Sequence, residues 1–313
     1  MRDRVITLRN LPIPKPGKGH ALIKVKAAGL CHSDTHVIKG GGVAWMCTLP
    51  VVLGHEIAGT ITEIDSDCAS LTVGDRVAVA CVGHPIEERN FSEALGVGCD
   101  GGYAEYAVAP IKNLVKLPDA VSFAQAAVAT GSIATAYHAV VAEGRVKATC
   151  AVCIIGLGGL GLNGVAIAAR LGAEVYGVDI NPSKFEPARA AGARALATNI
   201  RDFADKAFDV VIDFAGAQQT VEGAMSATRA GGTVVVVGLA ASQVTLTMSE
   251  LVTKNISVKG STSASIDELR DVLDMIAAGD LNPHIEEVSF QDIPLGLARL
   301  GLNEVTGRLF SIP

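Results

Sequence analysis

The sequence predicts an α/β protein in two parts, a β-rich, barrel-like part and a doubly wound parallel sheet. Three observations carry this expectation. Residues 1–122 consist of short β-like runs broken by Gly, Pro and Asp. The stretch FAQAAVATGSIATAYHAVVAEG, from residue 123, is Ala-rich and reads as helix. From residue 150 onward, buried strand patterns alternate with helical ones, the signature of a parallel sheet.

In chain order, ALIKVKAAG (21–29), GTITEID (59–65), DRVAVAC (75–81) and YAEYAVA (103–109) are the strands of the first part. Turn signals such as PKPGKG and VGD separate them. CAVCII, EVYGVDI, FDVVIDFAG, GTVVVVGLA and the run around ISVKGS are the strands of the second part. LGLNGVAIAARLG, PSKFEPARAAG and TVEGAMSATRAG are the helices between them, and DELRDVLDMIAAGD is a helix before a short mixed tail.

Composition narrows the function. The 313 residues are 49% hydrophobic and 4% aromatic, with 34 Gly, a mix that lets helices pack closely on a sheet. A net charge of −6 without a basic cluster excludes nucleic acid as a partner, because neutralising phosphates needs grouped Lys and Arg. Seven irregularly spaced cysteines argue against a disulfide scaffold and for a reducing, cytoplasmic setting. MRDRVITLRN has no apolar core of a signal peptide. The uncharged stretch 148–169 contains GLGGLG and an Asn, so it reads as strand, turn and helix, and no membrane partner is expected.

GLGGLG sets Gly156, Gly158 and Gly161 in the G-x-G-x-x-G pattern, between a strand and a helix. A second strand ends at Asp179. In this βαβ context the pattern reads as a dinucleotide site. Gly156 makes the tight turn, Gly158 admits a pyrophosphate and Gly161 packs the helix, whose N-terminus faces the phosphates. Asp179 can accept the ribose hydroxyls of NAD and would repel a 2′-phosphate; Ile180 and Asn181 follow it, with no Arg to hold that phosphate. The expectation is NAD.

Two polar motifs precede this unit. GLCHSDTH (29–36) and GHEIAG (54–59) contain Cys31 and His55, a thiolate and an imidazole that both suit zinc. With these residues in view, the sequence resembles the medium-chain dehydrogenase/reductase superfamily, and within it the zinc alcohol dehydrogenases. The matching stretches are GLCHSDTH, LGHEIAG (53–59), VGDRVAV (73–79), DGGYAEY (100–106), GLGGLG (156–161), FDVVIDFAG (208–216) and VTGRLF (305–310), in the expected order over almost the whole chain.

The resemblance implies a GroES-like catalytic domain over 1–131 and 265–313 and a Rossmann NAD-binding domain over 132–264. It implies hydride transfer between the cofactor and a small alcohol or carbonyl substrate, and a homo-oligomer, dimer or tetramer. Cys31 and His55 would ligate one catalytic Zn²⁺, with Glu56 beside it as third ligand. Ser33 would take the substrate proton, and His36 would pass it towards solvent through the cofactor ribose. Asp34 would orient His55. His32 and Arg308 would contact the pyrophosphate, Thr135 would pack on the nicotinamide, and Gly159, Leu160 and Gly238 would border the cofactor.

Three departures from the family follow. The stretch 81–102 holds Cys81 and Cys99, with Phe91 where the last cysteine of a four-cysteine lobe would align, so no structural zinc is expected; His84 reads as a loop histidine. The strand that usually precedes the LPIPKPGKGH segment is absent or degenerate. Position 131, which carries a Cys or Asp ligand in the family, is Gly. Restoring either residue there should tighten zinc binding. Gly131 also favours a second reading, a zinc-free reductase of C=C or C=N bonds. The Ser33–His36 pair opposes that reading, and opposes still more a non-catalytic NAD-binding protein. Substrate choice is assigned to apolar pocket residues including Trp45 and the 84–98 loop.

Overall fold

Alternation in HALIKVKAAGL yields β1 (His20–Leu30), a strand buried along most of its length because it has neighbours on both edges. The protein is described here from a computed structural model covering residues 5–42, 47, 49–65, 70–81, 88 and 90–313. After β1 the chain turns directly into α1 (His32–Ile38). Cys31 is its N-cap residue, and the Asp34 carboxylate reaches back to accept from the Cys31 N–H at 3.0 Å. The GLCHSDTH stretch is therefore a strand end and one capped helical segment.

Then come β2 (Glu56–Ile64), β3 (Arg76–Val79), β4 (Tyr106–Pro110) and β5 (Leu114–Lys116). α2 (Phe123–Val128) is closed by a Ser122–Gln125 capping box and continues as a π-helical turn over Ala129–Ile133. α3 (Ala134–Tyr137) follows, with a second π-helical stretch at His138–Glu143.

β6 (Ala151–Ile155) opens the alternating region, followed by α4 (Gly159–Arg170), β7 (Glu174–Val178), α5 (Phe185–Ala190), β8 (Ala195–Ala197) and β9 (Phe208–Asp213). α6 (Gln218–Ala227), β10 (Thr228–Val236), α7 (Met248–Thr253) and β11 (Ser257–Gly260) complete it. The chain then adds α8 (Ile266–Ala277), β12 (Ile285–Glu287), α9 (Ile293–Gly301) and β13 (Arg308–Ser311).

Two compact units result, Met1–Ala134 with Ser263–Pro313, and Thr135–Thr262. The first is built on a seven-stranded sheet in the order β12-β13-β1-β2-β3-β5, with β4 on β1. Its core is Ile23, Val25, Ile57, Ile61, Val77 and neighbouring residues. The second is a parallel six-stranded sheet, β11-β10-β9-β6-β7-β8. Strand order reverses between β6 and β9, and such a switch point is where doubly wound sheets bind ligands at the carboxyl ends of their strands.

The sequence reading located the long strands and missed the short ones. β5, β8 and β12 have three residues each, too few to show periodicity, and exist because a neighbouring strand pairs with them. β2 begins at Glu56, three residues earlier than expected, so the GHEIAG motif enters the sheet itself. Residues 5–18 carry no strand. Among the described residues no helix is long and apolar enough to cross a membrane.

Candidate active site

In the first unit, β1, α1 and β2 bring the two polar motifs together. Ligand atoms of Cys31, His55 and Glu56 all lie within 4.8 Å of one another. Register explains part of this: Gly29 on β1 is opposite Glu56 on β2, which sets Glu56 beside the end of β1, two residues from Cys31. The three side chains are buried or nearly so.

Asp34 organises them. One carboxylate oxygen accepts from His55 Nδ1 at 3.3 Å and from the Gly54 N–H at 3.4 Å. The other accepts from the Cys31 N–H at 3.0 Å and from the Tyr103 hydroxyl at 2.8 Å. Holding His55 by Nδ1 leaves Nε2 as the ring's ligand nitrogen. Tyr103 was not legible in the sequence as part of this site. Its hydroxyl also lies 3.3 Å from Gly29 O, but its one proton goes to the closer and charged Asp34.

Arg308, from β13, enters the same pocket. It is 2% exposed, and its Nη2 donates to Glu56 Oε1 at 2.5 Å. The resemblance implies a role for Arg308 at the cofactor pyrophosphate. In this pocket its guanidinium is buried against Glu56 and the Cys31 sulfur. Glu56 Oε2, by contrast, is buried and has no hydrogen-bond partner among the described residues.

Charges in this pocket set one another's protonation. Burial disfavours a Cys31 thiolate, but Arg308 and His55 outweigh it and hold the thiol well below its ordinary value. Burial alone would lower His55; the Asp34 and Cys31 charges raise it well above the usual imidazole range. Asp34 is lowered by His55 and Tyr103 despite its burial. Burial pushes Glu56 up to about 7, with Arg308 opposing. Cys31, His55 and Glu56 thus offer a sulfur, a ring nitrogen once its proton has left, and a carboxylate with one orphaned oxygen, a donor set that fits zinc.

Around this cluster, Ser33 Oγ lies 3.7 Å from Cys31 Sγ. His36 follows one helical turn later, exposed, with its ring packed over Gly41. His32 is exposed, and its Nε2 is 2.9 Å from Leu300 O on α9. Cys81 and Cys99 are free thiols, and burial raises both, Cys81 to about 11. Trp45, His84 and residues 85–87 and 89 of the 84–98 loop lie outside the described residues.

In the second unit, Gly156 follows β6 with φ +84°, a conformation that favours glycine. A Cβ on Gly161 would sit 1.8 Å from Gly156 O, so the first turn of α4 can close on the glycine loop only without a side chain there. In front of Gly158, the N-cap of α4, there is open space. Gly159 and Leu160 form the first helical residues. Asp179 is pinned at the end of β7, accepting from the Leu157 N–H at 2.7 Å and the Asn181 N–H at 2.8 Å. Gly238 follows β10, its N–H bonded to Asp213 O at 3.1 Å, and Thr135 is half-buried on α3. Lys184, five residues after Asp179, was overlooked in the sequence; burial lowers its ammonium and the nearby Asp179 charge opposes that. Ile180, beside Asp179, is 87% exposed.

A parallel switch-point sheet with a glycine turn, joined in one chain to a Cys–His–Glu pocket, defines an oxidoreductase built from a dinucleotide domain and a metal-binding domain. Two family models match this chain, the alcohol dehydrogenase GroES-like domain over residues 17–119 and the zinc-binding dehydrogenase domain over 159–278. An alcohol dehydrogenase of Geobacillus stearothermophilus is 31% identical, over 97% of this chain and 95% of its own length. An NAD-dependent alcohol dehydrogenase of Saccharolobus solfataricus is 32% identical, over 90% and 88% respectively. The structure of acetophenone reductase from Geotrichum candidum in complex with NAD superposes with a TM-score of 0.89 at 31% identity, covering 98% of this chain and 93% of that one. The chain belongs to the zinc-type alcohol dehydrogenase family of the medium-chain dehydrogenases/reductases, and is an NAD-dependent oxidoreductase of alcohol–carbonyl pairs.

Two outcomes are expected of this pocket. Tyr103→Phe keeps the ring and removes one donor from a buried carboxylate, so unfolding in denaturant should show a loss of about 1.5–3 kcal/mol. Zinc retention should fall as well, by up to about tenfold, because Asp34 then holds His55 less firmly. Separately, zinc uptake by metal-free protein should release about one to two protons near pH 7. The raised His55 and Glu56 are the main proton sources, and the lowered Cys31 thiol contributes least. Apparent affinity therefore rises with pH. Calorimetry in buffers of different ionisation heat measures the count, and proton-neutral uptake would contradict this charge assignment.

Proposed function

We propose that this enzyme interconverts a small alcohol and its aldehyde or ketone with NAD(H), using one catalytic zinc held by Cys31, His55 and Glu56. Two observations carry the metal assignment: a Glu56 carboxylate oxygen lies within 4.8 Å of the Cys31 and His55 ligand atoms, and Glu56 Oε2 is buried with no hydrogen-bond partner among the described residues. When bound there, zinc supplies Lewis-acid stabilisation of charge on the substrate oxygen, and NAD supplies the hydride chemistry.

This chain's own residues carry the proton. Ser33 stands at the Cys31 sulfur, on the first turn of α1, where a substrate oxygen near the ligands would meet its hydroxyl. His36, on the next turn and exposed, exchanges that proton with solvent. A proton path of this kind serves an oxygen-bound proton, which favours a carbonyl substrate over a C=C bond. Arg308 and Asp34 act through others, Arg308 by holding one Glu56 oxygen and Asp34 by fixing the His55 ring.

For the cofactor, two backbone N–H groups fix the Asp179 carboxylate beside the glycine turn, so its remaining lone pairs are preset for a ribose diol. The exposed Ile180 offers an apolar face next to it. The six described cysteines are all free thiols, which supports a reducing, cytoplasmic setting. β11 is an edge strand, and a second copy pairing there would form a dimer.

Ser33→Ala should reduce alcohol oxidation by about 10²–10⁴-fold. His36→Gln should reduce it less and shift the pH profile. Steady-state turnover across pH tests both, and wild-type turnover of Ser33→Ala would remove Ser33 from the proton path. Asp179→Ser should relax the preference for NADH over NADPH; a wild-type kcat/KM higher for NADPH than for NADH would contradict the NAD assignment.

A further inference from the structure

Gly131 reads, from the sequence, as a ligand position that lost its ligand. The structure gives it a different role. We propose that Gly131 and Gly29 form a two-sided slot for the Glu56 carboxylate, so that a side chain at 131 and an inward Glu56 exclude one another. The inference rests on the reading of Glu56 as a zinc ligand and adds why that residue can be one.

The slot is visible from both walls. A Cβ built on Gly131 would lie 2.1 Å from Glu56 Oε1 and 2.7 Å from its Cδ and Cγ. A Cβ on Gly29 would lie 2.1 Å from Glu56 Oε2 and 2.9 Å from its Cβ. Each carboxylate oxygen thus abuts one glycine. The Gly29 wall follows from register, since Gly29 and Glu56 are cross-strand partners and their side chains would share one face. The Gly131 wall is the π-helical turn Ala129–Ile133, which brings that backbone close to β2. Arg308 prevents an easy escape: it grips Oε1 and leaves Oε2 without a hydrogen-bond partner among the described residues, in a carboxylate that has one oxygen within 4.8 Å of the Cys31 and His55 ligand atoms.

The slot runs against the expectation from the sequence that Gly131→Cys or Gly131→Asp tightens zinc binding. In the protein as it stands, either side chain meets Glu56 before it meets the metal. A donor at 131 helps only when Glu56 is shortened.

The test is a double-mutant cycle with Gly131→Ala and Glu56→Ala. Gly131→Ala alone should weaken zinc retention against a chelator by at least about tenfold. Added to Glu56→Ala it should weaken it no further, and Gly131→Asp with Glu56→Ala should recover it. Metal-free protein gives an independent readout. Alanine is the better helix former, so Gly131→Ala should leave Tm unchanged or raise it in the Glu56→Ala background. With Glu56 present it should lower Tm. Because Glu56→Ala leaves Arg308 buried without its carboxylate, the cycle is repeated with Arg308→Met in every arm. A Gly131→Ala effect on Tm that is the same with and without Glu56 overturns the slot. Zinc retention unaffected by Gly131→Ala overturns it too. A wild-type protein that takes up no zinc overturns instead the ligand reading of Glu56, and the metal-free Tm cycle still decides the slot.

Discussion

A single buried carboxylate, Asp34, ties together three segments far apart in the chain. It accepts from Cys31 at the end of β1, from Gly54 and His55 ahead of β2, and from Tyr103. It is 1% exposed, so water cannot replace any of these donors. The same atoms cap α1, and that helix carries Ser33 and His36. One residue therefore sets the helix start, the His55 ring and the placement of Ser33 and His36. Loss of any donor leaves a buried charge under-satisfied, which is why the local fold and the ligand geometry stand or fall together.

Electrostatics in the pocket extend this coupling. Cys31, Asp34 and Glu56 bring acidic groups into one low-dielectric space, and Arg308 and His55 bring the balancing cations. Removing one partner of such a set exposes the others to uncompensated burial. Arg308 keeps its charge at any working pH, whereas His55 can give its proton away. The pocket thus favours the Cys31 thiolate and keeps the proton on the His55 ring. The fixed guanidinium then neutralises the acidic charge that remains in the pocket.

Much of this was legible in the sequence where the partners are close in the chain. Cys31, Ser33 and Asp34 fall within four residues, and His55 and Glu56 are adjacent, so two short motifs displayed most of the pocket. The glycine turn and Asp179 were legible because strand, turn, helix and strand follow one another without interruption. Tyr103 and the orientation of Arg308 were not. Tyr103 comes from the bend before β4 and Arg308 from β13, and residue types alone do not specify which distant segments become neighbours. The three-residue strands β5, β8 and β12 escaped for the related reason that tertiary pairing creates them.

Gly131 shows the limit most clearly, because its meaning inverts between sequence and structure. Aligned against a family pattern, a glycine at a ligand position is a subtraction. In three dimensions the missing side chain is a volume, and Glu56 occupies it from β2. A buried carboxylate can lie between two backbones only if both are bare there and a cation holds it. Gly29, Gly131 and Arg308 meet those three conditions, and they come from β1, the turn after α2, and β13. The place of the Glu56 carboxylate is thus set jointly by residues that are not themselves candidate ligands. A reading that counts candidate ligands one position at a time passes over them.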